Sequence, residues 1–161
     1  MTEQAKSVNP LIADLDQEAI REVLRRNYIG SLAFMAHKAP YVLPVTYYYD
    51  EASNSLLSYS MEGHKIASIR EHPAVAVGVY EMDTPVTWRS VLVHGRFKEL
   101  SQIDAKSGLH RFTEGIRALL KQEGVEGEQF IRDFSSKAMG VGTPLVYRIV
   151  IDTWSGKYRK N

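Results

Sequence analysis

Leu56-Leu57-Ser58-Tyr59-Ser60-Met61-Glu62-Gly63-His64-Lys65-Ile66-Ala67-Ser68-Ile69-Arg70 changes its period at the middle. The first five residues read as the end of a strand. Gly63 then relaxes the backbone. From His64 the apolar residues Ile66 and Ile69 recur at helical spacing. Pro73 stops that helix near His72, because the residue before a proline is driven out of the helical region. A strand that turns through a glycine into a helix presents unpaired backbone N–H groups and the positive end of the helix dipole. With the Ser60 hydroxyl and the Lys65 ammonium beside it, this helix start suits a phosphate. A helix start carrying a solvated lysine explains the same residues.

Upstream of this switch, Asp14 or Asp16 can cap a helix that runs to about Arg26, with Leu15, Ile20, Val23 and Leu24 as its apolar stripe. Asn27 is its stop. Residues 28–37, 41–49 and 55–60 then read as strands with short connections, which predicts an antiparallel meander. Downstream, the near-continuous apolar run 74–82 predicts a strand buried on both faces. Residues 89–100 give another strand. Residues 103–122 give a helix with Leu109, Phe112, Ile116 and Leu119 as its core face, and 128–139 a further helix. A last strand spans 145–154. Residues 1–10 read as a loose lead-in and 154–161 as a tail.

Six strands with helices confined to a few connections predict an α+β barrel or strongly curled sheet. Regular strand–helix alternation, a Gly-rich dinucleotide fingerprint and a phosphate-loop lysine motif are all missing, so a doubly wound fold is not expected. The 161 residues suit a single domain over 1–161. A net charge of +1 gives no electrostatic case for nucleic acid or an anionic membrane. Without cysteine there is no disulfide and no cysteine nucleophile. No apolar run is long enough to span a bilayer, so a cytoplasmic protein is expected. The five histidines lack the paired helical spacing of a zinc motif, and no metal site is expected.

Two other segments flank the 56–70 switch. In Tyr41-Val42-Leu43-Pro44-Val45-Thr46-Tyr47-Tyr48-Tyr49, Pro44 cannot donate a ladder bond, so it belongs at a bulge or an edge. Ordinary sheet packing explains the tyrosines equally well. In Thr87-Trp88-Arg89-Ser90-Val91-Leu92-Val93-His94-Gly95-Arg96, alternation puts Ser90, Leu92, His94 and Arg96 on one face. Taken in order, Pro-Val-Thr-Tyr at 44–47, Ser-x-x-Gly-His-Lys at 60–65 and Ser-Val-x-Val-x-Gly-Arg at 90–96 resemble the FMN-binding split barrel of the pyridoxamine 5′-phosphate oxidase superfamily. The chain is most similar to its nitroimidazole-resistance branch. The likeness runs from about Asp16 to Leu100 and resumes at 147–157.

The resemblance implies an α+β fold, a six-stranded, mostly antiparallel split β-barrel with flanking helices. It implies a homodimer with FMN at the subunit interface and a small-molecule substrate. By position, Pro44, Val45, Thr46 and Tyr47 would line the isoalloxazine, largely through backbone atoms. Tyr59 and Ser60 would meet the ribityl chain and phosphate, and His64 and Lys65 would hold the phosphate. Ser90 would stand near the flavin, as would Trp154, Gly156 and Lys157 of the C-terminal segment. His64 is also the candidate catalytic residue. A histidine there would make phosphate affinity depend on pH, since imidazole changes charge near neutrality. The chain ends soon after Trp154, where true pyridoxamine phosphate oxidases carry a longer Arg- and Trp-bearing segment, which argues against vitamin B6 oxidation. The function implied is an FMN-dependent oxidoreductase acting on a small planar acceptor such as a nitroaromatic or quinone. The alternatives are a flavin-binding or haem-binding module without redox turnover.

Overall fold

The computed structural model describes residues 11–125 and 144–160. The elements run β1 (Ile12–Asp14), α1 (Gln17–Arg26), β2 (Ile29–Ala36), β3 (Ala39–Thr46), β4 (Tyr48–Asp50), β5 (Ser55–Ser60), α2 (His64–Glu71), β6 (Ala74–Thr84), β7 (Thr87–Glu99), α3 (Gln102–Gln122) and β8 (Leu145–Arg159). Every strand pairing is antiparallel. The eight-stranded sheet has the order β3-β2-β6-β7-β8-β5-β4, with β1 added against β8. Its two path ends, β3 and β4, are joined only through Tyr47. The sheet therefore curls back on itself without a ladder to close it. The α+β split barrel is confirmed, with eight strands rather than six.

Local chemistry explains the helix boundaries. Asp16 caps α1 by accepting from the Ala19 N–H at 2.8 Å, and Ile20, Val23 and Leu24 are buried. Asn27 ends the helix by donating to the Val23 carbonyl and to Glu81, each at 2.8 Å. Ile66 and Ile69 seat α2 in the core, as their spacing predicts. The core face of α3 is Gly108, Phe112, Ile116 and Leu120. That stripe is rotated from the predicted one, because Gly108 lets the helix approach Leu100, Val146 and Leu57. Gly115 does the same for the Tyr48 ring, whose carbons would lie 2.3 Å from an added Cβ.

Three strand expectations are corrected. The predicted 41–49 strand breaks at Tyr47, where the chain leaves β2 and joins β5. The meander is therefore two hairpins, β2–β3 and β4–β5, and among the described residues β3 has no partner on its other side. In β6, Val75, Val77 and Val79 are buried while Ala74 and Tyr80 are exposed, so only one face is fully covered. The 154–159 stretch is not a tail but a continuation of β8, paired with β7 and with β1. The expected 1–10 lead-in and the 128–139 helix lie outside the described residues.

Two packed clusters result. The larger fills the barrel interior with residues of α1, α2, β2 and β4 to β8, including Leu32, Val77, Val93 and Ile149, together with Tyr47, and Val45 of β3 packs against it. The smaller lies under α3 around Leu57, Phe112 and Ile116, with Tyr48 and Tyr59 against it.

Candidate functional site

The gap in the sheet lies between β3 and the β5–α2 segment. Tyr47 anchors its base. The Tyr47 side chain is buried, its hydroxyl donates to the Leu24 carbonyl at 2.9 Å, and burial pushes that hydroxyl well above the usual tyrosine range. Its ring is thus committed to the core, and Val45 also packs inward. The Tyr47 N–H donates to the Tyr28 carbonyl at 2.8 Å. In an antiparallel ladder bonded and non-bonded pairs alternate. Residues 45 and 43 therefore bond across to 30 and 32, and the main-chain groups of Pro44 and Thr46 turn to the open edge. The β2–β3 ladder has no register shift, so Pro44 sits at an edge and not in a bulge. The edge offers the Pro44 carbonyl and the Thr46 N–H. The Thr46 carbonyl is taken by the Ser58 hydroxyl at 2.7 Å.

Across the gap, α2 begins at an extended Gly63, and the first helical bond is Ala67 N–H to the Gly63 carbonyl. The N–H groups of His64, Lys65 and Ile66 have no partner within the helix. The first turn carries no acidic residue. Lys65 is half-buried, and burial lowers its ammonium below the usual lysine range. Among the described residues Lys65 has no ion-pair partner. The helix start and β3 together enclose a groove of about 350 Å³. Phe34, Tyr41 and Leu43 form one wall, His64 and Lys65 the other, and His37 stands at the end. Phe34 and Tyr41 stack with ring centroids 5.6 Å apart.

Glu62, three residues before Lys65, does not neutralise it. Arg70 binds Glu62 at 2.7 and 3.1 Å and Glu99 at 2.9 Å twice. The guanidinium between them holds the Glu62 carboxyl below its ordinary range. This fork fixes the loop ahead of α2 and turns its negative charge away from Lys65. Ser60 donates to the Met61 carbonyl at 3.1 Å within the same loop.

Two of the three predicted motifs thus lie on neighbouring segments: Ser58, two residues before Ser60, reaches Thr46, and His64 and Lys65 share a groove with Tyr41 and Leu43, while Pro44 lines a separate hollow with Tyr28, Ser31 and Tyr80. Tyr59 packs under α3, its ring edge-on to Phe112 at 5.4 Å, and burial raises its hydroxyl above the usual range. The third motif is elsewhere. Ser90 pairs with Tyr80 on β6 and Lys157 on β8, on the outer sheet face that also carries Pro44 and Thr46. Two strands, β2 and β6, separate it from β3. Trp154 donates to Gln17 at 2.6 Å and carries the Arg21 guanidinium over its ring at 5.3 Å. Gly156 gives its carbonyl to the Leu15 N–H and makes room for Leu15 and Ile20. Lys157 bonds to Asp14. These three C-terminal residues dock β1 and α1 and do not join the groove.

Sequence reasoning missed Ser58 and the groove wall of Phe34, His37, Tyr41 and Leu43. His37 and Lys38 form the β2–β3 turn with φ of 51° and 62°. That is the left-handed pair of a two-residue hairpin, usually written Asn-Gly. His-Lys gives no such signal. Leu43 and Tyr41 are legible as alternating residues, but nothing local says that their face meets α2.

A family model described as pyridoxamine 5′-phosphate oxidase matches residues 16–158. An uncharacterized protein of Rhizobium meliloti is 32% identical over 96 residues, 60% of either chain, so the match spans less than two thirds of that relative. Among solved structures, a FAD-binding protein from Mesorhizobium loti is 28% identical with a TM-score of 0.71, covering 93% of this chain and 98% of its own. A candidate 5-nitroimidazole antibiotic resistance protein from Bacteroides thetaiotaomicron has a TM-score of 0.66 at 12% identity, covering 91% of this chain and 87% of its own. The last likeness concerns the fold alone.

Proposed function

The chain belongs to the pyridoxamine 5′-phosphate oxidase family, and from that premise we propose that it binds flavin mononucleotide in the gap between β3 and the β5–α2 segment, as an oxidoreductase for a small planar acceptor such as a nitroaromatic or quinone. One observation carries the reading. Lys65 is a half-buried ammonium with no counter-charge among the described residues, at a helix start whose first N–H groups have no partner within the helix. A desolvated cation is costly unless an anion joins it, and a phosphate meets both needs. One ammonium and one helix start suit one phosphate, and on that ground we assign FMN rather than a dinucleotide. The likeness to a FAD-binding relative supports a flavin of some kind.

The chain's own residues have definite tasks in this reading. Lys65 and the first N–H groups of α2 hold the phosphate, with His64 and His37 at the groove mouth. Pro44 and Thr46 bind the pyrimidine edge of the ring through main-chain atoms. His64 is exposed enough to hold a proton for an acceptor at its imidazole nitrogen. FMN, when bound, supplies the electron-transfer chemistry, and the protein supplies orientation and electrostatics. A second copy of the chain completes the site. The outer face exposes Met35, Val42, Tyr80 and Leu92 beside Ser90, an apolar surface suited to a second copy, and in this reading Ser90 and Lys157 serve that copy's flavin. Trp154 and Gly156 are left out, since they face α1.

The visible spectrum of purified protein, with chromatography of the released cofactor, tests the first step. A flavin spectrum with FMN released is expected. Colourless protein that leaves the fluorescence of added FMN and FAD unquenched overturns it. Steady-state oxidation of a nicotinamide donor with nitroaromatic and quinone acceptors tests turnover. Tight binding with none would leave a flavin-binding module.

A further inference from the structure

We propose that Ser58 is a positioning residue that fixes the main-chain edge read by the ligand, an inference that rests on the flavin reading above. Ser58 is buried, at 4% exposure, and contributes only a hydroxyl to its surroundings. That hydroxyl spans the place where the sheet splits. On one side of it β3 ends at Thr46, and on the other β4 begins at Tyr48, opposite Leu57 of β5. No backbone ladder joins Thr46 to β5. The bond from Ser58 Oγ to the Thr46 carbonyl at 2.7 Å stands in for it.

The consequence is chemical as well as mechanical. Pro44 has no N–H, so the edge presents an acceptor at Pro44, a donor at Thr46 and then the Thr46 carbonyl. With that carbonyl engaged by Ser58, the remaining pair is one acceptor and one donor. A ring N–H flanked by a ring carbonyl matches that pair, and a pyrimidine-dione edge carries both. Removing the Ser58 hydroxyl would add a bare acceptor beside the Thr46 donor, repelling the ligand's carbonyl, and would loosen the 46–47 peptide.

Behind Ser58, across the β5–β8 ladder, stands Tyr147. It is buried, its hydroxyl has no hydrogen bond to a described residue, and it packs against Phe97 with centroids 5.0 Å apart. Burial raises the Tyr147 hydroxyl above its usual range, and the neighbouring Ser58 hydroxyl works against that rise.

The test compares Ser58→Ala, Ser58→Thr and Tyr147→Phe with the wild-type chain. FMN dissociation constants are measured by fluorescence quenching, and the absorption bands and midpoint potential are read at saturating FMN. Ser58→Ala is expected to weaken FMN about tenfold, the loss of one buried hydrogen bond. It should also shift the flavin bands and potential even when every site is full. Ser58→Thr keeps the hydroxyl and should restore both. Tyr147→Phe should leave affinity near the wild-type value and so separate packing from positioning. A purely structural serine would lower the unfolding midpoint and leave the bands and potential of the full holoprotein unchanged, and that result overturns the proposal. If the wild-type chain binds no flavin, the function and this inference fall together. If it binds flavin and Ser58→Ala binds it identically, this inference alone falls.

Discussion

Two charged regions of the molecule are built on opposite plans. Asp50, at 1% exposure, is a buried carboxylate with every neighbour provided by the chain. Arg111 meets it at 2.5 Å, Arg148 at 3.4 Å and the Ser53 hydroxyl at 2.6 Å. Arg148 continues to the Ser55 hydroxyl at 2.7 Å. The network ties α3 and β8 to the β4–β5 hairpin. Lys65 is the reverse case, a half-buried cation with no partner on the described chain. The difference separates structural charge from functional charge. A buried charge satisfied from within fixes the fold, and one left wanting defines a place for a ligand.

Breaking the satisfied region should have the largest effect. Asp50→Ala leaves two guanidinium groups without their carboxylate. About 3 kcal/mol of unfolding free energy should be lost, the low end for a broken buried pair because Arg111 is well exposed. Urea unfolding measures it, and a loss below about 0.5 kcal/mol would show the network to be ornamental. The unsatisfied region should respond differently. Lys65→Ala should weaken FMN by about 10- to 100-fold, one charge-assisted phosphate contact, without loss of stability in the flavin-free protein. Equal FMN affinity in the two proteins would remove Lys65 from the site.

The pH dependence sharpens the same contrast. Burial lowers the Lys65 ammonium in the folded chain, so at alkaline pH the unfolded chain binds more protons. Flavin-free stability should therefore gain from this group as pH rises through its lowered value toward the ordinary lysine range near about 10.4. FMN affinity should fall over the same window, because the phosphate loses its charged partner. Calorimetry and quenching titrations follow the two trends. Parallel trends, or a falling limb that persists in Lys65→Ala, would contradict the assignment. The smallest effect belongs to the docked C-terminal strand. Trp154→Phe should cost about 1 kcal/mol through the bond to Gln17, with FMN affinity unchanged. A drop in affinity would return Trp154 to the flavin site.

Much of the molecule was legible along the chain. Local signals set the α1 boundaries, since Asp16 and Asn27 act within one turn of their own backbone. The α2 start and the Pro73 stop are equally local. Alternation placed Ser90, Leu92, His94 and Arg96 on one face, as β7 shows. The errors lie where distant residues decide. Nothing near Tyr47 announces that the strand changes partners there, because the cause is the Leu24 carbonyl and the Ser58 hydroxyl. Residues 154–159 look like a tail until β1 and β7 are there to pair with them. The stripe of α3 was displaced because a glycine, invisible to an apolar pattern, marks its closest approach.

The sequence by itself determined the helix starts, the period of most strands and the anion-friendly chemistry of Ser60–Lys65. Those depend on bonds made within a few residues. Tertiary structure alone decided that β3 ends the sheet with a bare edge and that Arg70 draws Glu62 aside. It also decided that Lys65 shares a groove with β3 and meets no counter-charge among the described residues. The physical reason is that burial and charge pairing are properties of surroundings assembled from distant parts of the chain. A lysine reads the same in sequence whether water or a phosphate is to neutralise it.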